Sequence, residues 1–505
     1  MEMRLRLFLL ALGIVLLGAA CGTDGNDPAS PASVPEPAAE TDAGGPAAPE
    51  PTAPSADPAE PQPEAPPDQP VRNPPTAPSD AEFGPAPVSP TGPLGQEMVA
   101  AADNLFGDLP EAINRPAILT IGGSQDPRLA WLLADLLRFI PEGQEGLDLI
   151  SSFEAITGVI LSDEERRPGR NWLEVTNRLI AWDVPEPPDY LNYKRQLFTL
   201  IEPGWQPFFA DEESNIDWRW VSWGGVLIDD RELGDPIACE RGCIPALDDP
   251  AVTDAAGGSW YSDDAFVFGV VVNGEARAYP KHIMEIHEMI NDTLGDRRIG
   301  MPYCTLCGSA QAYFTDIGEE DVILRTSGLL TRSNKVMYDL GTLSVFDTFT
   351  GEALSGALQD AGVVLEQVTV ATSTWGEWKA AHPDTTIVAE DGGIGRDYPL
   401  NPLGGRDDNG PIFPVGDVDP RLSVHDRVVG VTSPEGTPVA FPTVAVRLAL
   451  EAGEVIEAAG VLLETNGGGF RATDFDGNEL VAHESFWFAW SQFMPDTDVW
   501  TSAAP

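Results

Sequence analysis

Trp375-Gly-Glu-Trp-Lys-Ala-Ala-His-Pro-Asp-Thr385 aligns without a gap with Trp487-Phe-Ala-Trp-Ser-Gln-Phe-Met-Pro-Asp-Thr497. The two stretches share both tryptophans and the Pro-Asp-Thr ending. Upstream, Val267-Phe-Gly-Val270 corresponds in the same way to Val428-Val-Gly-Val431. Matching elements in the same order indicate an internal duplication.

The duplication predicts the fold class. We expect an α+β chain in which an N-terminal all-α region is followed by a β-rich, duplicated C-terminal module. The first copy is predicted over residues 217–390 and a second, shortened copy over residues 396–505. On this prediction Trp378 superposes on Trp490 and Pro280 on Pro442.

The two copies differ in the residues that carry chemistry. The first contains His287 and Tyr303-Cys-Thr-Leu-Cys-Gly308, where the second has Leu463-Glu-Thr-Asn-Gly-Gly468. Residues shared by both copies are expected to build the fold. Residues present in one copy only are therefore the candidates for function.

The N-terminus predicts export. Arg4 and Arg6 precede an apolar run that is too short to span a bilayer, and small residues lead to Cys21. Residues 1–21 are therefore predicted to be a lipoprotein-type signal peptide, with Cys21 as the lipidated residue. The membrane is then a partner through this anchor, and the mature protein is expected at the cell surface or in the periplasm.

Residues 22–95 are predicted to be a disordered acidic stalk. They are rich in proline and alanine and contain few residues that could form a core. The whole chain of 505 residues has a formal net charge of −51. Repulsion of this size excludes nucleic acid as a partner of the folded body. A protein partner is expected, but no residue identifies it.

The remaining chain changes its periodicity part-way. Residues 96–203 are predicted to form a helical domain, with Asp126 as an N-cap followed by Pro127 and leucines at helical spacing. From Asp217 onward the period is two, and an Asn273-Gly274 turn follows a strand over Phe266 to Val272. One helix is predicted over residues 280–291.

Cys304-x-x-Cys307 is the strongest chemical signal. In an exported chain the pair could be a dithiol that exchanges with disulfides, two thiolate ligands of a metal, or a structural disulfide. His287 on the preceding predicted helix could supply a third ligand, and Tyr303 would then support the site from behind. His282, five residues before His287, should lie on another helix face and point to solvent. Cys239 and Cys243 are expected to form a local disulfide.

Several ordered motifs resemble the DUF3179 family of domains of unknown function. They are Ile244-Pro-Ala-Leu-Asp-Asp-Pro250, Gly274-Glu-Ala-Arg-Ala-Tyr-Pro280, His287-Glu-Met-Ile-Asn-Asp292, Tyr303-Cys-Thr-Leu-Cys-Gly308, Ser327-Gly328, Met337-Tyr-Asp339, Thr350-Gly-Glu-Ala-Leu-Ser-Gly356 and Trp375 to Thr385. The resemblance runs from Ile244 to the end of the chain. It implies an exported or membrane-associated bacterial or archaeal protein and no specific activity. This chain has Thr305 where the family usually has proline after the first cysteine.

Three functions follow as expectations. The leading one is binding of a soft or borderline metal, zinc or copper, by Cys304, Cys307 and His287. The second is thiol–disulfide exchange with a partner protein. The third is a scaffold without catalysis that binds a partner or ligand through the shared aromatic motifs.

Overall fold

The computed structural model describes residues 83–235, 239, 241–318, 321–405 and 411–502. The predicted signal peptide, the lipidation site Cys21 and most of the predicted stalk lie outside the described residues. Among the described residues, no helix combines the length and the apolar character needed to cross a bilayer.

The N-terminal part of the described chain is helical, and shorter helices recur among the strands that follow. The helices are α1 Gln96–Gly107, α2 Arg115–Gly122, α3 Ala130–Phe139, α4 Gly143–Thr157, α5 Arg170–Ala181, α6 Tyr190–Ile201, α7 Gln206–Ala210, α8 Lys281–His287, α9 Gly356–Asp360, α10 Trp375–Ala381, α11 Thr443–Glu451 and α12 Trp487–Phe493.

The start of α3 shows how sequence sets local structure. Pro127–Leu129 forms one turn of 3₁₀ helix directly before α3, and the Asp126 side chain accepts a hydrogen bond from the Arg128 N–H at 3.2 Å. Proline in this first turn loses no hydrogen bond, because its position has no helical acceptor. The leucines of α3 are buried in a core that also contains Leu329 and Tyr338. The N-terminal helices α1 to α7 and the first sheet described below therefore share one core.

The strands begin at Val221. They are β1 Val221–Trp223, β2 Leu247–Asp248, β3 Val252–Asp254, β4 Phe266–Val272, β5 Glu275–Pro280, β6 Met289–Leu294, β7 Arg297–Cys304, β8 Ser309–Ala310, β9 Ala312–Phe314, β10 Leu324–Thr331, β11 Asn334–Asp339, β12 Val345–Asp347, β13 Gln367–Val368, β14 Ala371–Thr374, β15 Thr386–Val388, β16 Arg427–Thr432, β17 Pro438–Pro442, β18 Ile456–Ala458, β19 Val461–Asn466, β20 Gly469–Thr473, β21 Glu479–Leu480, β22 Ala482–Phe486 and β23 Asp498–Val499.

These strands form five sheets. The first has the order β1-β10-β11-β12 and the second β13-β9-β7-β6-β2, with β8 paired to β7. The third is β14-β4-β5-β15-β3, the fourth is β22-β16-β17-β23 and the fifth is β18-β19-β20-β21.

The predicted fold class is wrong for the C-terminal part. The described strands form five small sheets of four to six strands each, which are the number and size of the blades in a five-bladed β-propeller. The prediction was one module present in two copies. The physical reason is long-range pairing, since β1 pairs with β10 and β2 with β6. Among the described strands, only the fifth sheet takes its neighbours from consecutive strands.

The matching sequence segments lie in the third and fourth sheets. In each, an antiparallel hairpin has a strand beside its first member and a parallel strand beside its second. Val267 is paired with Pro280 in one hairpin and Val428 with Pro442 in the other. The shared signatures thus mark one type of sheet that occurs twice.

The predicted helix over 280–291 is too long. Helix α8 ends at His287, because Glu288 adopts a left-handed conformation with φ of 50°, and Met289 begins strand β6. The predicted strand over Phe266 to Val272 is confirmed, and Asn273 and Gly274 form its turn with φ of 50° and 83°. Trp218–Trp220, which belong to the part of the chain with a period of two, form a 3₁₀ turn ahead of β1.

Candidate functional site

The two cysteines lie at a tight turn between β7 and β8. The Cys307 N–H donates to the Cys304 carbonyl at 3.2 Å, which closes the turn, and the two Sγ atoms are 2.9 Å apart. Cys304 is 2% exposed and Cys307 is fully buried. The structure therefore brings the predicted thiol pair together, with the sulfurs shielded from solvent.

The start of β11 supplies polar groups to this pair. The Ser333 carbonyl lies 3.8 Å from Cys304 Sγ and 3.5 Å from Cys307 Sγ, and Asn334 Oδ1 lies 3.3 Å from Cys307 Sγ. Next to them Lys335 Nζ contacts the Glu288 carboxylate at 2.9 Å and the Glu288 carbonyl at 2.6 Å. A buried ion pair thus lies beside the two thiols.

These neighbours separate the acidities of the two thiols. Burial acts to raise the pKa of Cys304, but hydrogen bonding from the Cys307 thiol and from the Lys335 N–H, together with the Lys335 charge, holds that pKa below its usual value. Burial and the hydrogen bond to Cys304 raise the pKa of Cys307 well above its usual value. Cys304 is therefore the more acidic thiol of the pair.

The third predicted ligand, His287, faces elsewhere. Its Nδ1 lies 2.7 Å from the Pro245 carbonyl and its Nε2 lies 2.7 Å from the Tyr398 hydroxyl. Burial lowers the pKa of His287 to about 3, so the ring is neutral. A neutral ring that donates its Nδ1–H to the Pro245 carbonyl can accept a hydrogen bond from the Tyr398 hydroxyl at Nε2. His287 therefore fixes the position of Tyr398, and within the described chain it does not assemble with the two cysteines into a three-ligand group.

The separation of the sulfurs can be compared with metal geometry. Two thiolates bound at about 2.3 Å to one tetrahedral ion lie about 3.8 Å apart. The observed 2.9 Å is shorter, and a bonded disulfide lies at about 2.05 Å. Zinc or copper binding by this pair would require the sulfurs to separate by about 0.9 Å, and disulfide formation would require them to approach by a similar amount.

The prediction for His282 is wrong, and the role predicted for Tyr303 stays a prediction. His282 was expected to face solvent, but it is 3% exposed and its ring stacks on Tyr261 with centroids 5.1 Å apart. It is buried because the aromatic rings of Trp260, Tyr261 and Tyr398 pack around it. Tyr303 packs against Phe268 with ring centroids 4.8 Å apart, within the core of the third and second sheets.

A second group of cysteines lies near Asp229. Cys239 and Cys243 are joined by a disulfide, and one carboxylate oxygen of Asp229 lies near both sulfurs, so that this trio could hold a metal ion. However, Arg231 binds the same carboxylate at 2.7 and 2.9 Å, and the Ala246 N–H donates to it at 2.8 Å. Metal binding here would first require reduction of the disulfide and displacement of Arg231.

Residues of the ordered motifs also build a buried ion-pair network. Arg325 binds Asp248 through two hydrogen bonds of 2.9 and 2.8 Å, and Asn291 donates to the same carboxylate at 2.8 Å. Both Arg325 and Asp248 have almost no exposed side-chain surface. Loss of one partner in such a pair leaves a buried charge unpaired, so the network holds β2, β6 and β10 in place.

A set of buried polar side chains, some of them on segments that contact the cysteine turn, was not predicted from the sequence. We call it the buried polar cluster; its members are Ser309, Gln311, Ser333, Thr348, His483 and Ser485. They are 0% to 4% exposed. Within the described residues the following side-chain atoms have no hydrogen-bond partner: Ser309 Oγ, Gln311 Oε1 and Nε2, Ser333 Oγ, Thr348 Oγ1, His483 Nε2 and Ser485 Oγ. One buried unpaired group costs about 1–3 kcal/mol, so such a concentration needs an explanation.

Ser309, Ser333 and Ser485 lie on segments that contact the thiol turn. Ser309 is paired with Cys304 across β7 and β8, so the two side chains share a face of that pair. Ser485 precedes Phe486, whose N–H donates to the Cys307 carbonyl at 2.8 Å. His483, two residues earlier on the same face of β22, packs against Phe349 at 5.3 Å. Phe349 directly follows Thr348.

Comparison with known families bears on this region. Residues 241–463 match the model of the family described as "Protein of unknown function (DUF3179)". The match confirms the resemblance seen in the motifs. Within this DUF3179 region lie Cys304, Cys307, His287 and Tyr398, whereas helices α1 to α7 and residues His483 and Ser485 lie outside it. No curated protein and no solved structure matches the chain.

Proposed function

We propose that Cys304 and Cys307 form a redox-active dithiol that cycles between two thiols and an intramolecular disulfide. The observation that carries this proposal is the 2.9 Å separation of the sulfurs of these two free cysteines. In the oxidation, both S–H bonds break, an S–S bond forms, and two electrons and two protons pass to a disulfide or another two-electron acceptor.

The unequal acidities support distinct roles for the two thiols. Cys304, whose pKa is lowered, is the thiol that attacks the acceptor as a thiolate. Cys307, whose pKa is raised, stays protonated until Cys304 has reacted and then closes the disulfide. Lys335 and Glu288 act as positioning residues, because the ammonium group favours the Cys304 thiolate and the carboxylate holds the ammonium group in place.

Redox titration tests this proposal. Protein equilibrated in dithiothreitol buffers of graded potential is alkylated, and peptide mass spectrometry gives the fraction of the Cys304–Cys307 disulfide. We expect a two-electron transition, in which the disulfide-to-dithiol ratio changes tenfold per about 30 mV. Cys304→Ser and Cys307→Ser should each abolish it.

The matched control is the double variant Cys239→Ser/Cys243→Ser, which should keep the transition of the other pair. Cys304 and Cys307 that stay reduced at every potential would contradict the proposal. Metal analysis of the same preparation decides the competing function. One zinc or copper ion per chain, retained in the wild type and lost in Cys304→Ser, would replace the dithiol with a metal site.

The proposal includes export and anchoring through Cys21. The disulfide between Cys239 and Cys243 supports an oxidising compartment, where close cysteine pairs persist in the oxidised state. Mass spectrometry of the mature protein should find an N-terminal Cys21 that carries lipid. An unmodified terminus beyond Cys21 would exclude the anchor.

A further inference from the structure

The hairpin between β10 and β11 directs its turn at the two sulfurs. Arg332 and Ser333 join the strands in left-handed conformations, with φ of 46° and 70°, and Thr331 pairs with Asn334. Positive φ at both central residues is typical of a two-residue hairpin turn. The Ser333 carbonyl and the Asn334 side chain consequently lie against Cys307 Sγ, at 3.5 and 3.3 Å. Because Asn334 is only 2% exposed, little water competes for this contact.

The thiol of Cys307 has one hydrogen, and three acceptors in the described part of the chain lie near it. Cys304 Sγ lies at 2.9 Å, Asn334 Oδ1 at 3.3 Å and the Ser333 carbonyl at 3.5 Å. While Cys304 is a thiolate, its charge makes it the strongest of these acceptors. Once Cys304 is bonded to another sulfur it is a weak acceptor, and oxygen is a better one. The hydrogen then turns to the Asn334 amide, which leaves a lone pair of Cys307 Sγ for Cys304.

The contact with Asn334 exists in only one redox state. A disulfide has no S–H hydrogen, so oxidation removes the donor from Cys307 and leaves Asn334 Oδ1 without it. An interaction that only the dithiol makes stabilises the dithiol against the disulfide. The charges of Glu288 and Lys335 act on the acidity of the thiols. The Asn334 amide carries no charge, so its effect falls on the redox equilibrium through the hydrogen bond.

We infer that Asn334 is a further residue of the dithiol reaction, whose amide oxygen holds the Cys307 hydrogen and sets how readily the pair is oxidised. This inference rests on the proposed function and adds to it a residue that contacts a reacting sulfur.

The step is balanced for a disulfide acceptor. The Cys304 thiolate attacks one acceptor sulfur, the acceptor S–S bond breaks, and the first acceptor thiolate leaves and takes a proton. Cys307 Sγ then attacks Cys304 Sγ, the bond from Cys304 to the acceptor breaks, and the second acceptor sulfur leaves with the Cys307 proton. The Asn334 amide accepts a hydrogen bond before this closing step and takes up no proton itself, because an amide oxygen is not a base at neutral pH.

The test compares variants in the redox titration described above. Asn334→Leu has nearly the same shape and no acceptor, so its dithiol lacks this hydrogen bond. We expect the equilibrium constant for disulfide formation to rise about threefold, which corresponds to a midpoint potential lower by about 14 mV. Asn334→Val, which suits a strand, makes the same comparison if leucine is not tolerated. Asn334→Asp retains an oxygen at the same position, so its equilibrium should stay within about 1.5-fold of wild type or move toward the dithiol.

The matched control is Asn171→Leu, which removes a buried amide that donates to the Pro141 carbonyl at 2.8 Å in the helical region. It should lower the thermal unfolding midpoint and leave the redox equilibrium unchanged. Two results would overturn the inference. One is an equilibrium within about 1.5-fold of wild type in folded Asn334→Leu or Asn334→Val. The other is a shift toward the disulfide in Asn334→Asp or in the control as large as that in Asn334→Leu, because the effect would then come from packing.

Infrared spectroscopy separates this inference from the proposed function. The S–H stretching band lies where other protein groups do not absorb, and a hydrogen bond lowers its frequency. In the reduced protein, Asn334→Leu should move the Cys307 band to higher frequency, and Asn334→Asp should not. If the proposed function fails, the wild type shows no redox transition, yet this band still shifts. A band that does not move contradicts the inference and leaves the redox transition of the wild type intact.

Discussion

The third and fourth sheets share a strand order but differ in what the chain inserts into them. Both have an antiparallel hairpin, a strand beside its first member and a parallel strand beside its second. In the third sheet the chain leaves the hairpin after Pro280 and returns at Ala371, having built α8, the cysteine turn and most of the first two sheets. In the fourth it leaves after Pro442 and returns at Ala482 with only α11 and the fifth sheet between. The shared sheet thus supports the fold, and the insertion supplies the chemistry.

The shared sheet depends on one packing arrangement that both copies retain. Trp378 packs on Gly269 and Trp490 packs on Gly430 so closely that a Cβ on either glycine would lie 2.3 or 2.0 Å from the indole ring. Both tryptophans are almost fully buried. Only glycine leaves room for a flat indole against the strand, which explains why these residues dominate the matching sequence stretches.

The largest effect is expected from filling this space. Gly269→Ala and Gly430→Ala should each lower the free energy of unfolding by about 3 kcal/mol, because the indole or the strand must move to admit the methyl group. Chemical denaturation of both variants measures the loss. Gly107→Ala, at the end of α1 where nothing lies within 4 Å of the added Cβ, is the control; it should leave stability unchanged or raise it by at most about 1 kcal/mol. If either glycine variant were as stable as the wild type, the indole ring packed on that glycine would be free to move aside.

The same arrangement explains what the sequence could predict about the fold. Spaced tryptophans, glycines and Pro-Asp-Thr endings indicated that two stretches of the chain are alike, and the structure places these stretches in sheets of the same type, but the duplicated module inferred from them is wrong. They did not reveal that Val221 pairs with Thr331, or Leu247 with Ile290, across long separations. Periodicity reports which face of a strand is buried and not which strand lies beside it, so the prediction extended two sheets into two whole modules.

The site was predictable to a similar extent. The spacing of Cys304 and Cys307 predicted a thiol pair, and the structure holds their sulfurs 2.9 Å apart. The role of His287 depended on where α8 ends, and a left-handed Glu288 is not evident from the sequence. The buried polar cluster consists of common polar residues brought together by sheet pairing. Its one local signal was the alternation of His483 and Ser485 in a strand, which predicts a shared face but not burial.

The second prediction concerns a buried carboxyl group of the fourth sheet that has no counterpart at the same position in the third sheet. Glu484 pairs with Val429, where the third sheet has Thr372 paired with Phe268. Burial raises the pKa of Glu484 to about 7 from its usual 4.5. The folded protein therefore binds this proton more tightly than the unfolded chain, and stability is lost as the pH rises from about 4.5 through 7. Glu484→Gln should remove this loss of stability at the higher pH, because glutamine does not ionise.

We expect Glu484→Gln to raise the free energy of unfolding by about 2 kcal/mol at pH 8 and by much less at pH 4.5. Denaturation at the two pH values measures the difference. Glu457→Gln, on the exposed face of β18, is the control and should show no such pH dependence. An equal or larger gain at the lower pH would mean that the carboxyl group is not protonated in the folded protein.

The smallest effect tests whether the two sheets are energetically alike. The Trp378 Nε1–H donates to Thr385 Oγ1 at 3.0 Å, and the Trp490 Nε1–H donates to Thr497 Oγ1 at 2.8 Å. Each threonine hydroxyl also donates to the carbonyl of the next residue, at 3.1 and 3.2 Å. Valine has nearly the same shape but leaves the indole N–H and that carbonyl without the hydroxyl between them.

Thr385→Val and Thr497→Val should therefore each lower the free energy of unfolding by about 1 kcal/mol. The two decreases should be equal within experimental error. Trp378 and Trp490 belong to separate hydrophobic cores, so the double variant should lose the sum of the two single effects. Urea denaturation of the three variants gives these values, with Thr199→Val as the control for a hydroxyl outside both sheets. A clear inequality between the single variants would show that the long insertion into the third sheet has changed the energetics of the shared arrangement while leaving its geometry intact.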